Sequence, residues 1–212
     1  MIFKQGWQFV GVEADLAQAL GRNLGKQVVF VEEDWEKLID ALCDNQIDII
    51  MSAMSVTPAR SYRIAFTTPY LKVGQLALIR TGEKYTYVLN LANQAQHGVG
   101  VKPGTTADYL VRQEFPGLKR KYYETGEDAA DALLGQKIDL FISDAPMIWY
   151  LASLYESKGL AVMPLVLSEE QLAWGVRRTD TQLLEAANNF VQKAKADGEL
   201  NQILSKWMPG FH

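Results

Sequence analysis

A stretch in the first half of the chain returns, without a gap, in the second. Asp40-Ala-Leu-Cys-Asp-Asn-Gln-Ile-Asp-Ile-Ile-Met-Ser-Ala aligns with Asp131-Ala-Leu-Leu-Gly-Gln-Lys-Ile-Asp-Leu-Phe-Ile-Ser-Asp, and Asp, Ala, Leu, Ile, Asp and Ser recur at matching places. Each copy reads as a helix that ends in a short polar turn and feeds an apolar strand. Two readings stand: the chain is built from two similar α/β halves, or short helix-to-strand joins look alike by chance. On the first, Ala53 corresponds to Asp144, and the two strand ends face each other across a cleft, because open α/β sheets bind ligands at the C-terminal ends of their strands.

A length of 212 residues, 48% of them hydrophobic, supports a full core in one large domain or two small lobes. A net charge of -4 gives no basic footprint, so nucleic acid is not an expected partner, and Lys119-Arg120-Lys121 reads as a solvated surface turn. The single cysteine, Cys43, sits at helical spacing and reads as a small core residue. No apolar run is long enough to span a membrane, and the N-terminal Met-Ile-Phe-Lys-Gln-Gly-Trp has no apolar h-region behind a basic one, which leaves open the mature part of an exported protein.

The most informative local stretch is Asp48 to Arg60. Ile49-Ile50-Met51 reads as a parallel strand covered on both faces, Thr57 as a helix N-cap and Pro58 as the first helical residue. Arg60 then falls in the first turn, where its charge opposes the helix dipole. Such a residue either receives a carboxylate or phosphate beside the free N–H groups of the helix start, or pairs with a surface acid. In the second half Pro146 reads as the first helical position and Ala145 as the cap. The Asp144 carboxylate then lies one residue too early to cap, which points to function.

Elsewhere, Val28 to Val31 reads as a buried strand and Asp34 as the cap of a helix over Trp35 to Cys43, completing a βαβ unit with the strand at Ile49. The polar stretch Thr81 to Tyr85 marks a candidate boundary. Gly98-Val-Gly100 lacks the third glycine of a dinucleotide fingerprint, and Thr105 or Thr106 caps a helix running towards Phe115. Leu160 to Leu167 and Leu172 to Val176 read as strands, Ser168 to Gln171 as a polar crossing, and two helices, Thr181 to Ala196 and Gly198 to Trp207, close the chain.

Ser52-Ala-Met-Ser-Val-Thr-Pro-Ala-Arg, Ile64-Ala-Phe-Thr-Thr-Pro-Tyr, Gly104-Thr-Thr and Ser143-Asp144, together with Gly11-Val-Glu-Ala-Asp-Leu, Asp34-Trp35 and Leu204-Ser-Lys-Trp, resemble the extracellular solute-binding proteins for polar amino acids, the soluble receptors of ABC importers. The resemblance implies an α/β, two-lobed periplasmic-binding-protein-like fold of type II with its ligand cleft between the lobes. Lobe 1 would comprise 1-72 and 173-212, and lobe 2 would comprise 73-172. It implies a monomer that closes on an amino acid and delivers it to a membrane ABC permease, in the periplasm or outside the cell, without a cofactor or metal.

By position, the resemblance assigns the ligand α-carboxylate to Arg60, helped by the Ser55 N–H and hydroxyl and the Ala53 backbone. It assigns the α-ammonium to Asp144. Trp35 would cover the ligand, or serve as a core aromatic, and Lys102, Thr105 and Thr106 would supply contacts from the second lobe. The family begins with a strand and a loop ahead of the position of Met1, so a central strand of the first lobe is expected to be missing.

With Lys102 as the one basic residue at the side-chain end and no second acid there, the expected ligand is a neutral polar or acidic amino acid rather than arginine or lysine. Two alternatives remain: a ligand-sensing module of a larger receptor or cell-wall enzyme, and a dehydratase on the same fold. The second is disfavoured because the two histidines are His97 and His212 and no zinc-binding or nucleophile-elbow motif occurs. The chain is expected not to be an enzyme.

Overall fold

The computed structural model describes residues 2–83, 86–87 and 98–208, without the side chains of residues 3–5. The expectations that touch Tyr85, His97 and His212 therefore lie outside the described residues. In order, the chain forms β1 (Phe3–Gln5), β2 (Gln8–Val10), α1 (Val12–Leu24), α2 (Leu38–Cys43), β3 (Ile49–Ile50), α3 (Pro58–Arg63) and β4 (Ala65–Phe66). Next come β5 (Leu71–Arg80), β6 (Val99–Val101), α4 (Thr106–Glu114), β7 (Arg120–Tyr122), α5 (Gly126–Leu134) and β8 (Leu140–Asp144). Last are α6 (Ala145–Tyr155), β9 (Leu160–Val162), β10 (Ser168–Leu172), β11 (Gly175–Val176), α7 (Thr181–Ala196) and α8 (Glu199–Trp207). Contacts divide these elements into two compact units, Met1–Lys72 with Gln171–His212, and Val73–Glu170.

In the first unit β11 pairs antiparallel with both β3 and β4. The βαβ unit expected at β3 is thus corrected: among the described residues its partner is antiparallel and comes from late in the chain. The expected strand at Val28–Val31 is also absent. Val29 and Val31 are 76% and 56% exposed, because a strand persists only where another strand takes its backbone hydrogen bonds. Phe30 still packs inward, 5.2 Å from Phe9 between ring centroids. Cys43 is exposed rather than core, since Leu38 and Leu42 already supply the buried face of the short α2. Leu42, Ile50, Met54 and Ile64 form a core with Leu38, and Trp174 lies stacked between Tyr70 and Phe190.

The second unit is a sheet in the order β10-β5-β8-β6-β7, with β9 also on β5. β6 runs parallel to β7 and β8, and β5 antiparallel to β8 and β9. Both faces are covered. Leu76 and Leu78 pack with Leu133, Ile148 and Leu151 of α5 and α6, while Ala77 and Ile79 pack with Ala107 and Val111 of α4. That is why Leu76 to Ile79 of β5 read as an unbroken apolar run instead of an alternating one. Gly98 and Gly100 serve this packing: Gly98 has φ +108 with Lys119 O against the place of a Cβ, and Gly100 lies against Ile138 and Tyr123.

The repeat holds at the level of single hydrogen bonds. The N–H groups of Asp44, Asn45 and Gln46 donate to the carbonyls of Asp40, Leu42 and Ala41, and those of Gly135, Gln136 and Lys137 donate to Asp131, Leu133 and Ala132. Asn45 and Gln136 both take positive φ, 61° and 53°. An arginine caps each copy from outside it. Arg177 donates to Leu42 O, Ile47 O and Asp48 Oδ1; Arg80 donates to Leu133 O, Ile138 O and Asp139 Oδ1.

Candidate functional site

The candidate residues fall into two groups, one on each unit. In the first, Thr57 Oγ1 accepts from Arg60 N at 3.2 Å, as the N-cap of α3 with Pro58 behind it. This turn directs the Arg60 guanidinium back along the incoming chain, where Nη1 donates to Ser55 O at 2.9 Å. The guanidinium also lies 5.2 Å from the Trp35 ring centroid, a cation–π contact that fixes its plane. Trp35 opens a 3-10 turn and packs against the Leu38–Ile64 core, so its core role is real. Asp34 makes no capping bond; its carboxylate holds Lys37 Nζ at 2.6 Å instead.

Ser55 is 3% exposed and forms an isolated antiparallel bridge to Leu172. Ala53 has φ +52, a left-handed conformation uncommon for a residue with a Cβ. The cause is Glu13, fully buried at 0% exposure. Its Oε1 accepts from Ala53 N at 2.6 Å and from Tyr70 Oη at 2.5 Å, and its Oε2 accepts from Trp174 Nε1 at 3.1 Å. Three donors converge on a charge that would otherwise be costly to bury. The Ala53 N–H is therefore taken, and what its backbone can offer a ligand is the carbonyl, an acceptor suited to an ammonium rather than a carboxylate. Glu13 was not legible as a site residue: in the sequence it is one more acid in the first turn of α1, and its partners lie far along the chain.

In the second group Thr105 caps α4. Its Oγ1 accepts from Asp108 N at 3.3 Å and donates to Lys102 O at 2.7 Å, so Lys102 anchors the turn through its carbonyl. Thr106, the first residue of α4, accepts from Gln75 Nε2 at 2.9 Å and donates to Glu170 Oε2 at 3.0 Å. Glu170 is the second acid that the sequence reading had not placed here, and Gln75 was missed as well. Asp144 ends β8, and α6 begins at Ala145 rather than Pro146, which puts Asp144 in the N-cap position itself. It nonetheless makes no side-chain capping bond. In the register of the sheet Asp144 stands opposite Gln75.

Chemically, the first group offers a fixed guanidinium beside a short helix start, and the second a carboxylate beside a buried amide. The ABC transporter arginine-binding protein 1 of Escherichia coli (strain K12) is 27% identical over 209 residues, covering 95% of this chain and 83% of that protein. An ancestral amino acid-binding protein, a precursor of cyclohexadienyl dehydratase, superposes with a TM-score of 0.88 at 29% identity, over 97% of this chain and 88% of that one. An ancestral arginine-binding protein bound to arginine gives a TM-score of 0.86 at 26% identity, over 98% and 92% of the two chains, and an ancestral arginine-binding protein bound to glutamine gives 0.85 at 27% identity, over 98% and 92%. The fold of these solved structures is the type II architecture of amino-acid-binding proteins. With a family match over residues 1–210, this chain belongs to the bacterial extracellular solute-binding proteins, family 3.

Proposed function

We propose that this chain reversibly binds a free amino acid as the substrate-binding component of an ABC importer, in the periplasm or outside the cell, and that it catalyses no reaction. Arg60 receives the α-carboxylate with the Ser55 hydroxyl and N–H, the Ala53 carbonyl and Asp144 receive the α-ammonium, Trp35 lies against the ligand, and the α4 start with Lys102, Thr105 and Thr106 completes the contacts. The observation that carries this reading is the pair of opposite charges: Asp144 as the last residue of β8 in the second copy of the repeat, and Arg60 in α3, the helix that follows the first copy. A zwitterion needs both.

The proposed side chain is basic. Asp144 and Glu170 outnumber Lys102 in the second group, so its field favours a cation, and relatives named for arginine support the same choice against the neutral or acidic side chain expected from the sequence. Calorimetric titration with a panel of amino acids tests this: arginine or lysine should bind tightest. Binding of glutamate ahead of both would reverse the side-chain assignment, and absence of binding to every amino acid would remove the receptor reading. Consumption of an added compound, cyclohexadienyl acids included, would replace it with the dehydratase alternative.

A further inference from the structure

Gln75 is a polar residue where the fold asks for an apolar one. It is 1% exposed and shares the α4-covered face of the sheet with Ala77, Ile79, Leu140 and Ile142. The register sets it opposite Asp144, and cross-strand partners of an antiparallel pair point to the same face, close enough to share a ligand. Its amide is oriented by a chain of necessity. The Thr106 hydroxyl has one hydrogen and Glu170 as a carboxylate only accepts, so that hydrogen goes to Glu170. Thr106 Oγ1 must then receive from Gln75, whose nitrogen is 2.9 Å away. The amide oxygen is thereby turned away from Thr106. It is buried and has no donor among the described residues.

A buried acceptor without a donor costs free energy, which a leucine or methionine at this position would avoid. Kept beside a carboxylate, such an oxygen points to a cationic nitrogen. We propose that Gln75 is a ligand-binding residue: its Oε1 accepts one hydrogen of the protonated amine that Asp144 holds, and Thr106 and Glu170 are positioning residues that fix the amide. This rests on the amino-acid receptor reading above. An ammonium has three hydrogens to place, and adjacent strands here supply two acceptors of the right kind. The consequence is selectivity for an α-amino group over an α-hydroxyl, which has a single hydrogen and no charge.

The test is calorimetric, using the tightest binder among L-arginine, L-lysine and L-glutamine together with the α-hydroxy acid of the same side chain. Gln75→Leu should weaken the amino acid about ten- to hundredfold, the loss of one hydrogen bond to a charged group, and the hydroxy acid by less than about threefold. Thr106→Val, which frees the amide without emptying the core, should shift the same ratio in the same direction by less, and it carries the test if thermal melts show that Gln75→Leu does not fold. Equal losses for both compounds would make Gln75 a structural residue only. Unchanged affinity for the amino acid would mean that the oxygen serves a water molecule. Either result overturns the inference and leaves the receptor reading standing, whereas a wild-type protein that binds none of the three amino acids removes both.

Discussion

Arg60 combines a charge that its own helix disfavours with two contacts that hold it in place, the Ser55 carbonyl and the Trp35 ring. If it is the carboxylate receptor, Arg60→Ala should lose roughly 2 to 5 kcal/mol of ligand affinity, the cost of leaving a desolvated charge unpaired. Asp144→Asn should weaken binding too, and the double variant should lose less than the sum, because both act on one bound molecule. Calorimetry on the three proteins checks this, and normal affinity in either single variant removes that residue from the site. Ala53 makes a separate prediction. Its left-handed backbone costs about 1 to 2 kcal/mol, and glycine gives back about 0.5 to 1 kcal/mol in unfolded-state entropy, so Ala53→Gly should stabilise the protein by about 0.5 kcal/mol in denaturant melts. Arg60 stands out in the sequence because a cation in a first helical turn breaks a local rule; Asp144 stands out only through a cap position that the structure moves by one residue, placing it at the N-cap without a side-chain capping bond. Glu13, Gln75 and Glu170 break none; only contacts with residues such as Trp174 and Thr106, brought near by the fold, make them more than ordinary polar side chains.

The elements read best where capping decides them. Thr57 and Thr105 cap as expected, since an N-cap is settled within four residues. Val28 to Val31 was misread because strand identity depends on a partner, and β10 was taken for an unpaired polar crossing although it joins the sheet beside β5. At the far end of β5 a titration can be predicted. Tyr87 donates to Glu83 Oε2 at 3.1 Å, and burial first, then the charges of Asp139 and Glu83, push its phenol up from 10.0 to about 12. The neutral phenol is the form the fold favours. Its contribution is therefore full below pH 10.0 and is lost as pH rises through about 12. Melts across that window should show a stability loss in the wild type that is smaller in Tyr87→Phe, and phenolate absorbance should lose a late-titrating component in that variant while Tyr123 and Tyr155, also pushed up by burial, remain.

For the whole molecule, the repeated segment makes two similar modules legible in the sequence, but not what locks them. The two locking arginines lie outside the repeat, at Arg80 and Arg177, and neither sequence position hints at the other. They are also unequal. Arg80 faces an Asp139 side chain that is 4% exposed, whereas the Asp48 side chain facing Arg177 is 82% exposed. Arg80→Gln should therefore cost about 3 to 5 kcal/mol by taking the guanidinium from a buried carboxylate, and Arg177→Gln only about 1 to 3 kcal/mol for its lost bonds to carbonyls; paired denaturant melts compare them. Because each arginine fastens its own helix-turn-strand, the two modules carry separate latches. Amide hydrogen exchange should then resolve two cooperative openings, with Arg80→Gln accelerating exchange around Leu133 to Ile142 while Leu42 to Ile50 keeps its protection, and Arg177→Gln doing the converse.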